Sequence, residues 1–546
     1  MMQESPYEQI RNIANSAPAN LAIWKYGKSA LPVTLFEVSR RRVTDKFERI
    51  KSGGPAGEDG EIGGKWASVA AHLVEWAFRY GNQSEEGREP AEQDAVAAVD
   101  LAEKWKALDI AFNAGRAGRA KILQTKRGLW IDPLSDPRME VLDILLEGVD
   151  TNAEPTPEVG PDISPAITYL NSMRASMPGG SVAVPRGVVG LFVQHAKNNL
   201  RAQNWEVPRS TNIGGMTLDE VIPLLGTLWG IAHVGWEVFA RYPSLTMANP
   251  AFKRSDLAQM IARYNPDSDK IESFLDLLTY QGQNGRSPLS APLIQWSDTL
   301  IVTRHLLHDT LTERMVLRAA SADPASSGKL GTALGDLCSR WATRLRDIPG
   351  VEVAEEVKIF DSGNKKLGDL DIVALDRGQM QGLIVEAKWP VDARTLSDAR
   401  KQEDAIDKGR AQIERLQTRI GNNIKVRFPP GWPEFQDVEW KWLVGTARFL
   451  DSRRTESAIP STSLRLVEGL LPVSSLRELV DALENLPLPR EGEDFRLGWE
   501  KVRVGRHLIH VRTIQMLRTR PTSPPLGRRR ADDVPTDGHE PGSPSA

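Results

Sequence analysis

The sequence predicts a multi-domain protein with a mainly α-helical N-terminal region, an α/β core of helix, three strands, helix and strand, and a disordered C-terminal tail. Its 546 residues exceed what one hydrophobic core usually organises. In residues 65–80 and 92–116, apolar side chains recur every three or four positions, which is typical of amphipathic helices. Residues 326–450 instead carry short apolar runs separated by Gly, Asn and Asp, which indicate strands.

Changes in composition along the chain suggest four units. A stretch rich in Pro, Gly and acidic residues at 148–165 is the best linker candidate, and helical patterns such as 293–320 follow it. Beyond residue 490 the chain turns polar and basic, with six prolines between Pro521 and Pro544. We therefore expect a helical domain at 1–150, a second helical region at 151–325, an α/β domain at 326–490 and a largely disordered tail at 491–546.

Composition favours a soluble protein of a reducing compartment, and we predict a cytoplasmic one. The single cysteine, Cys338, excludes an intramolecular disulfide framework, and the first residues lack the apolar core of a signal peptide. The apolar stretch at 221–236 falls short of the roughly 20 residues that a membrane span needs, so we expect a buried helix and no membrane. Since the net charge is −3, nucleic-acid contacts require local basic patches.

Charged residues interrupt two of the predicted apolar strands. Alternation places Asp369 and Asp371 on one face of their strand, with Leu370 and Ile372 on the other. The same rule puts Glu386 and Lys388 on one face of the next strand. Because buried charges cost several kcal/mol unless they are paired or bind an ion, something must compensate these groups.

Metal-assisted hydrolysis is the chemistry that this set of side chains suggests. Carboxylates converging from adjacent strands supply hard oxygen ligands that suit Mg²⁺, for which Mn²⁺ can substitute. A neighbouring ammonium group would orient a metal-activated water or stabilise the charge on a phosphate. Asp371, Glu386 and Lys388 are therefore the candidate catalytic residues.

This block resembles the PD-(D/E)xK superfamily of restriction-endonuclease-like nucleases. The resemblance covers about a quarter of the chain and rests on Gly368 to Asp371, on Glu386-Ala387-Lys388 and on the order of elements around them. It implies that Asp371, Glu386 and the backbone carbonyl of Ala387 bind the metal, and that Lys388 positions the water. It also implies cleavage products with a 5′-phosphate.

Other interpretations of the triplet stay open. Glu356-Val357-Lys358 and Glu439-Trp440-Lys441 also match the Glu-x-Lys pattern, although neither follows an Asp-bearing apolar strand at the right distance. The alternative for residues 386–388 is a structural ion pair or a decayed site.

Further residues are candidates for auxiliary roles. Asp369 stands where many relatives carry an acid, and Asp336 is the loose counterpart of an acid on the preceding helix, although a solvated residue explains it equally well. On the second core helix a buried stripe leaves a neighbouring face that could contact phosphates, and a solvated surface explains this face equally well. Gln412 lies on the same face and is another auxiliary candidate. The candidate phosphate contacts are Lys408, Arg415 and Arg419.

Residues 501–530 contain nine Lys or Arg and no acidic residue. This segment could hold nucleic acid, but we favour a solvated basic tail. The 15 tryptophans occur mostly at helical or strand spacing, so we interpret them as core residues and not as base-stacking platforms.

Taken together, the sequence predicts a Mg²⁺-dependent endodeoxyribonuclease, with restriction or anti-phage defence as its role by analogy. DNA is the expected partner, RNA remains an alternative, and the helical region is expected to recognise a target or a protein partner. The rival hypothesis is a nucleic-acid-binding protein that keeps the nuclease fold and is silent, or cuts only with a partner bound to its helical scaffold.

Overall fold

The computed structural model describes most of the chain in defined segments. These are residues 6–51, 59–85, 91–116, 119–126, 128–151, 161–173, 184–203, 205, 207–242, 248–283, 286–307, 312–361, 363–390, 396–420, 425–448, 450–451, 458–486, 488–504 and 507–517. The fold is mixed, with a largely helical N-terminal region and several sheets.

The first part of the chain forms a helical layer followed by a hairpin. Its helices are α1 (Pro6–Ser16), α2 (Ala30–Lys51), α3 (Asp59–Tyr80), α4 (Glu92–Arg116) and α5 (Pro137–Thr151), and the hairpin strands are β1 (Ala120–Thr125) and β2 (Gly128–Pro133). Helices α2, α3 and α4 pack on one another around buried side chains such as Leu35, Trp66 and Leu108. The predicted helical character of this part is thus confirmed, with the hairpin as an addition.

The middle part is also mainly helical. Its helices are α6 (Ser164–Ser172), α7 (Arg186–Ala202), α8 (Leu218–Arg241), α9 (Arg254–Tyr264), α10 (Ile271–Leu278), α11 (Arg304–Leu307) and α12 (Thr312–Ala322). Its short strands are β3 (Asn212–Ile213), β4 (Met216–Thr217), β5 (Ala251–Lys253), β6 (Thr279–Tyr280), β7 (Leu293–Trp296) and β8 (Thr299–Val302).

Helix α8 is the apolar helix predicted around residues 221–236. It begins with a capping box in which Thr217 and Glu220 satisfy each other's backbone donors. Within the described segments it is the one helix long and apolar enough to cross a membrane, and 78% of its apolar window is buried. That burial is typical of a core helix.

The prediction of a continuous helix over 293–320 is wrong in its first half. Strands β7 and β8 form an antiparallel hairpin there, pairing Trp296 with Thr299 across a two-residue turn. Ser297 occupies that turn with a φ of 56°. A tight hairpin turn needs positive φ and is therefore usually marked by Gly or Asn. Because Ser stands at this position, the sequence carries no such signal of the hairpin.

The α/β part contains a six-stranded sheet. Its strands are β9 (Val351–Phe360), β10 (Lys366–Asp376), β11 (Gln381–Ala387), β12 (Lys425–Val426), β13 (Glu439–Thr446) and β14 (Ser461–Ser463), in the order β12-β9-β10-β11-β13-β14. Strands β9, β10 and β11 are antiparallel, whereas β13 runs parallel to β11. The parallel pair requires a crossover, and the helix α15 (Leu396–Ile420) provides it.

Helices cover both faces of this sheet. On one face lie α13 (Pro324–Asp336), α14 (Ser339–Arg346), α16 (Leu464–Leu470) and α17 (Leu476–Glu484), and α15 lies on the other. Trp341 of α14 packs in the core that contains Ile372 and Val385, while Ile406 and Ile413 of α15 pack with Val444. Along the chain these elements follow the order α13, α14, β9, β10, β11, α15, β12 and β13, so two helices stand where one was predicted and the short strand β12 precedes the last predicted strand.

The predicted tail begins too early. Residues assigned to it form strands β15 (Phe495–Val504) and β16 (His507–Met516), which complete a four-stranded sheet in the order β1-β2-β16-β15. Val502, Ile509 and Val511 are buried in the core of the N-terminal helices, so burial of apolar side chains explains why this basic segment folds. The proline-rich stretch from residue 521 lies outside the described residues.

Candidate functional site

Asp371 and Glu386 meet at one end of the antiparallel ladder between β10 and β11. The last paired positions are Ile372 and Val385, and the two acids are the next residues on their strands. The backbone N–H of Ala387 donates to Asp371 Oδ2 at 2.9 Å. The structure thus brings together the two carboxyl groups that the sequence predicted to converge.

Strand β11 positions its polar residues as alternation predicts. Leu383, Val385 and Ala387 pack on the α14 side of the sheet, and Ile384 packs on the other side. Lys388 follows directly, and its ammonium group forms an ion pair with the Glu386 carboxylate. Helix α15 passes close by, since an added Cβ on Gly409 would lie 3.6 Å from Lys388 Cε.

Strand β10 departs from the predicted alternation. Leu370 packs with Val373, three residues further on, while Ile372 packs on the opposite side of the sheet. The change of face occurs beside Glu356 of β9, whose φ of 52° lies in a region that non-glycine residues rarely adopt. The prediction that Leu370 and Ile372 share a face is therefore wrong, because the pairing of β10 with β9 is interrupted at Asp371, between the pairs that Leu370 and Ile372 form.

Asp369 lies at the edge of the site and is not one of its buried members. Its side chain is 43% exposed and forms an ion pair of 3.0 Å with Lys366. Its charge nevertheless contributes to raising the pKa of Asp371. Asp369 therefore influences the site through its charge.

Burial dominates the electrostatics of the acid pair. It raises the pKa of Glu386 to about 7, with a further increase from the neighbouring Asp371 carboxylate, while Lys388 opposes the shift. Burial also raises the pKa of Asp371, against the charge of Lys388 and the hydrogen bond from Ala387. With Glu386 only 2% exposed, one ammonium group compensates two carboxyl groups that share a hydrogen bond.

The donor set fits a small divalent cation. The buried Glu386 and the half-buried Asp371, both with raised pKa values, carry more negative charge than Lys388 balances, so a cation would replace the proton that they otherwise hold. Among the described residues no group of three His, Cys, Asp or Glu side chains is arranged to hold a metal. Mg²⁺ is compatible with a site that offers two carboxylates, because it often binds through one or two carboxylates and keeps several waters.

The turn between α13 and α14 lies beside the acid pair and contributes Cys338, whose place near the site the sequence did not predict. Burial raises the pKa of the Cys338 thiol to about 11, and the next largest contribution comes from the Asp371 carboxylate. Asp336 is exposed at the end of α13, two residues before Cys338. A lone cysteine in a helical pattern gives no signal that would place it near the site.

The predicted basic face of α15 lines an open groove of about 760 Å³. Arg419 is held against the start of β10 by a hydrogen bond of 2.9 Å to the carbonyl of Leu367. The one acidic residue in the groove lining is Glu414. The lining side chains all belong to α15: Lys408, Ala411, Gln412, Glu414, Arg415, Thr418 and Arg419.

The two competing Glu-x-Lys triplets do not form comparable sites. Glu356 is exposed on β9, and Lys358 is exposed as well. Lys441 on β13 forms an exposed ion pair of 3.0 Å with Glu484. Only the triplet at 386–388 combines a buried acid with an ion-paired lysine and a facing aspartate.

Comparison of the chain with protein-family models, with curated protein sequences and with solved structures found no match. The resemblance to PD-(D/E)xK nucleases therefore rests on residues 368–371 and 386–388 and on the order of the elements around them.

Proposed function

We propose that the protein is a metal-dependent endonuclease that hydrolyses phosphodiester bonds in DNA. One observation carries this proposal: Asp371 and Glu386 face each other at the end of adjacent strands, and Lys388 forms an ion pair with the buried acid. A structural ion pair needs one acid and one base, whereas this arrangement holds a second acid, the half-buried Asp371. The excess negative charge favours a cation-binding role.

Asp371, Glu386 and the carbonyl of Ala387 would hold Mg²⁺, with Mn²⁺ as a substitute. When bound, the ion would lower the pKa of a water molecule and balance the charge of the phosphate. The hydrogen bond from the Ala387 N–H fixes the orientation of the Asp371 carboxylate. Glu386 is fixed by burial and by Lys388, so the site is preorganised by the strands.

Lys388 has two tasks in this proposal. Its ammonium group holds the attacking water by a hydrogen bond and stabilises the negative charge that develops on the phosphate oxygens. Attack of the water oxygen on phosphorus breaks the bond to the 3′ oxygen, which leaves with a proton. The products then carry a 5′-phosphate and a 3′-hydroxyl group.

The α15 groove supplies a path for the DNA backbone. Lys408, Arg415 and Arg419 lie along it, and the neighbouring Gly409 approaches Lys388. Cations at one helical face suit contacts with successive phosphates, which position the duplex without reading its sequence. Gln412 lies between them and is available for a hydrogen bond to the same backbone.

The helical N-terminal region packs directly on the α/β part. Arg119, just before β1, forms an ion pair with Glu403 of α15, and Leu142 of α5 packs against Leu466 of α16. These contacts would connect recognition of a target or a protein partner to the nuclease. We propose restriction or anti-phage defence in the cytoplasm as the setting for this architecture.

A second candidate function is a nucleic-acid-binding protein that does not cut by itself. The observation that favours it is the ion pair between Lys388 and Glu386, which occupies the carboxylate that a metal would need. Such a protein would bind DNA through the α15 groove and would cut only when a partner rearranged the pair.

The decisive experiment measures cleavage of supercoiled plasmid and of single-stranded DNA in Mg²⁺ or Mn²⁺. We expect cutting by the wild type and loss of cutting in Asp371→Ala and Lys388→Ala. The matched control is Lys441→Ala, which removes the lysine of a competing triplet and should cut normally. Equal cutting by all variants would refute the assignment, whereas metal binding without cutting by the wild type would favour the second candidate.

A further inference from the structure

The four-stranded sheet β1-β2-β16-β15 has one face in the core and an opposite face that is partly open to solvent. Leu129, Ile131, Ile509 and Val511 lie in the core against the N-terminal helices. Because side chains alternate along a strand, the residues between them point the other way. This opposite side, which we name the aromatic face, is formed by Lys121, Leu123, Trp130, Asp132, Trp499, Lys501, Arg503, His510 and Arg512.

A continuous row of side chains crosses the aromatic face. Strand pairing places Leu123 opposite Trp130, Trp130 opposite His510, and His510 opposite Lys501. Trp499 lies next to this row, with its ring centroid 4.7 Å from that of Trp130. Trp499 is 40% exposed and Leu123 is 55% exposed, so the face is open to solvent at these two side chains, whereas His510 within the row is buried.

The charges on the aromatic face are predominantly positive. Lys121, Lys501 and Arg503 are exposed. The acid on this face, Asp132, forms an ion pair of 3.1 Å with Arg512, and Glu140 of α5 forms another of 3.1 Å with the same guanidinium, so Arg512 adds no net positive charge. The sequence continues this trend, with nine basic and no acidic residues between 501 and 530. The face therefore complements a polyanion.

His510 supplies an independent indication of a ligand. It is only 4% exposed, and neither ring nitrogen has a hydrogen-bond partner among the described residues. The ring lies parallel to Trp130, with centroids 3.9 Å apart. A buried polar group without a partner costs free energy, and a bound molecule recovers that cost here if the side chains around the ring move aside to admit a hydrogen bond.

We propose that the aromatic face binds single-stranded nucleic acid. Bases would stack on Trp499, whose ring meets that of Trp130 edge to face, and Lys501 and Arg503 would contact the phosphates. Exposed aromatic rings on a sheet with flanking cations suit unpaired bases, because the bases of a duplex are already stacked on each other. This surface uses none of the residues of the candidate nuclease site, so the inference does not depend on cleavage.

The test is fluorescence anisotropy of labelled 20-nucleotide oligo-dT and oligo-U with the full chain. EDTA is present throughout, so that cleavage plays no part, and a 20-base-pair duplex serves as competitor. The variants are Trp499→Ala, Trp499→Phe and Lys501→Ala. The matched control is Phe47→Ala, which removes another exposed aromatic side chain, 57% exposed on α2.

We expect Trp499→Ala to weaken binding about fivefold or more, because base stacking on an aromatic side chain has about that effect. Trp499→Phe should keep most of the affinity, and Phe47→Ala should bind normally. Lys501→Ala should reduce the salt dependence by about one phosphate contact. Tighter binding of oligo-dT would identify DNA as the ligand, and tighter binding of oligo-U would identify RNA. Either result supports the proposal.

Three results would overturn the proposal. The first is the absence of binding to both oligonucleotides, and the second is equal binding by the wild type and Trp499→Ala. The third is self-association of the chain that is lost in Trp499→Ala, since a second copy would then cover the face. Loss of plasmid cleavage in Asp371→Ala with unchanged oligonucleotide binding would separate this surface from the nuclease site.

Discussion

Replacing Glu386 with Gln should stabilise the metal-free protein around β11, and the effect should grow with pH. Burial raises the pKa of this carboxyl group to about 7, from an ordinary value of 4.5. The folded state therefore holds a proton that the unfolded state releases. The stabilisation that this bound proton provides is fully present below pH 4.5 and is lost as pH rises through 7.

The size of the effect follows from the two pKa values. A difference of one pKa unit corresponds to about 1.4 kcal/mol, so the wild type should lose about 3 kcal/mol between pH 4.5 and pH 8. Gln cannot ionise and avoids this loss. The local opening constant of the wild type, divided by that of the variant, should therefore rise by up to about a hundredfold across this range.

Hydrogen exchange in EDTA, followed by mass spectrometry on peptides that cover residues 381–387, measures this ratio. Intrinsic exchange rates cancel when the variant and the wild type are compared at the same pH. A suitable control is Glu439→Gln, which replaces an exposed acid at the start of β13. Saturating Mg²⁺ should remove the pH dependence, because an ion bound to the carboxylate opposes protonation.

A ratio that stays constant from pH 5 to pH 8 would refute the reasoning. It would mean that the Glu386 carboxylate is already compensated in the metal-free protein, with Lys388 as the sufficient partner. The excess negative charge, which supports the proposed metal site, would then be absent.

Three further predictions concern the surroundings of the site. Asp451→Ala should lower the unfolding free energy by about 3 kcal/mol in urea titrations, since the buried Arg410 loses the acid that lies 3.1 Å away and keeps the more exposed Asp407 at 3.3 Å. Gly445→Val should cost about 1–3 kcal/mol in the same assay, because an added Cβ would lie 2.8 Å from Trp341; no change would show that the sheet and α14 adjust freely. Arg419→Ala should weaken DNA binding uniformly across sequences and reduce its salt slope by about one, as measured by filter binding; a sequence-dependent loss would contradict a phosphate contact.

The elements around the site were predictable because local signals agree there. The pattern of residues 381–389 fixes both the extent of β11 and the side on which Glu386 and Lys388 lie. The helix Leu396–Ile420 was also predictable, since its apolar stripe matches the helical period. In each case the residues that decide the structure are neighbours in sequence.

Long-range contacts determine the structural features that the sequence did not predict. Strands β15 and β16 are basic and precede a proline-rich segment, so their local pattern indicates a tail, and they fold because β2 offers a partner. The switch of faces at Leu370 depends on the conformation of Glu356 on another strand. Trp130 and Trp499 were interpreted as core residues because nothing local shows that they share an open face.

The pairing of β2 with β16 also constrains how the protein reaches its native state. The ion pair between Asp132 and Arg512 joins two residues that lie 380 positions apart in the sequence. For a flexible chain, closing a loop of that length costs about 5 kcal/mol of entropy, and the contact has to wait until the distal strand has been synthesised. The N-terminal core therefore stays incomplete on the ribosome while the α/β part can already assemble. We expect slow final folding, and a chain that ends before β15 would leave the edge of β2 exposed to aggregation.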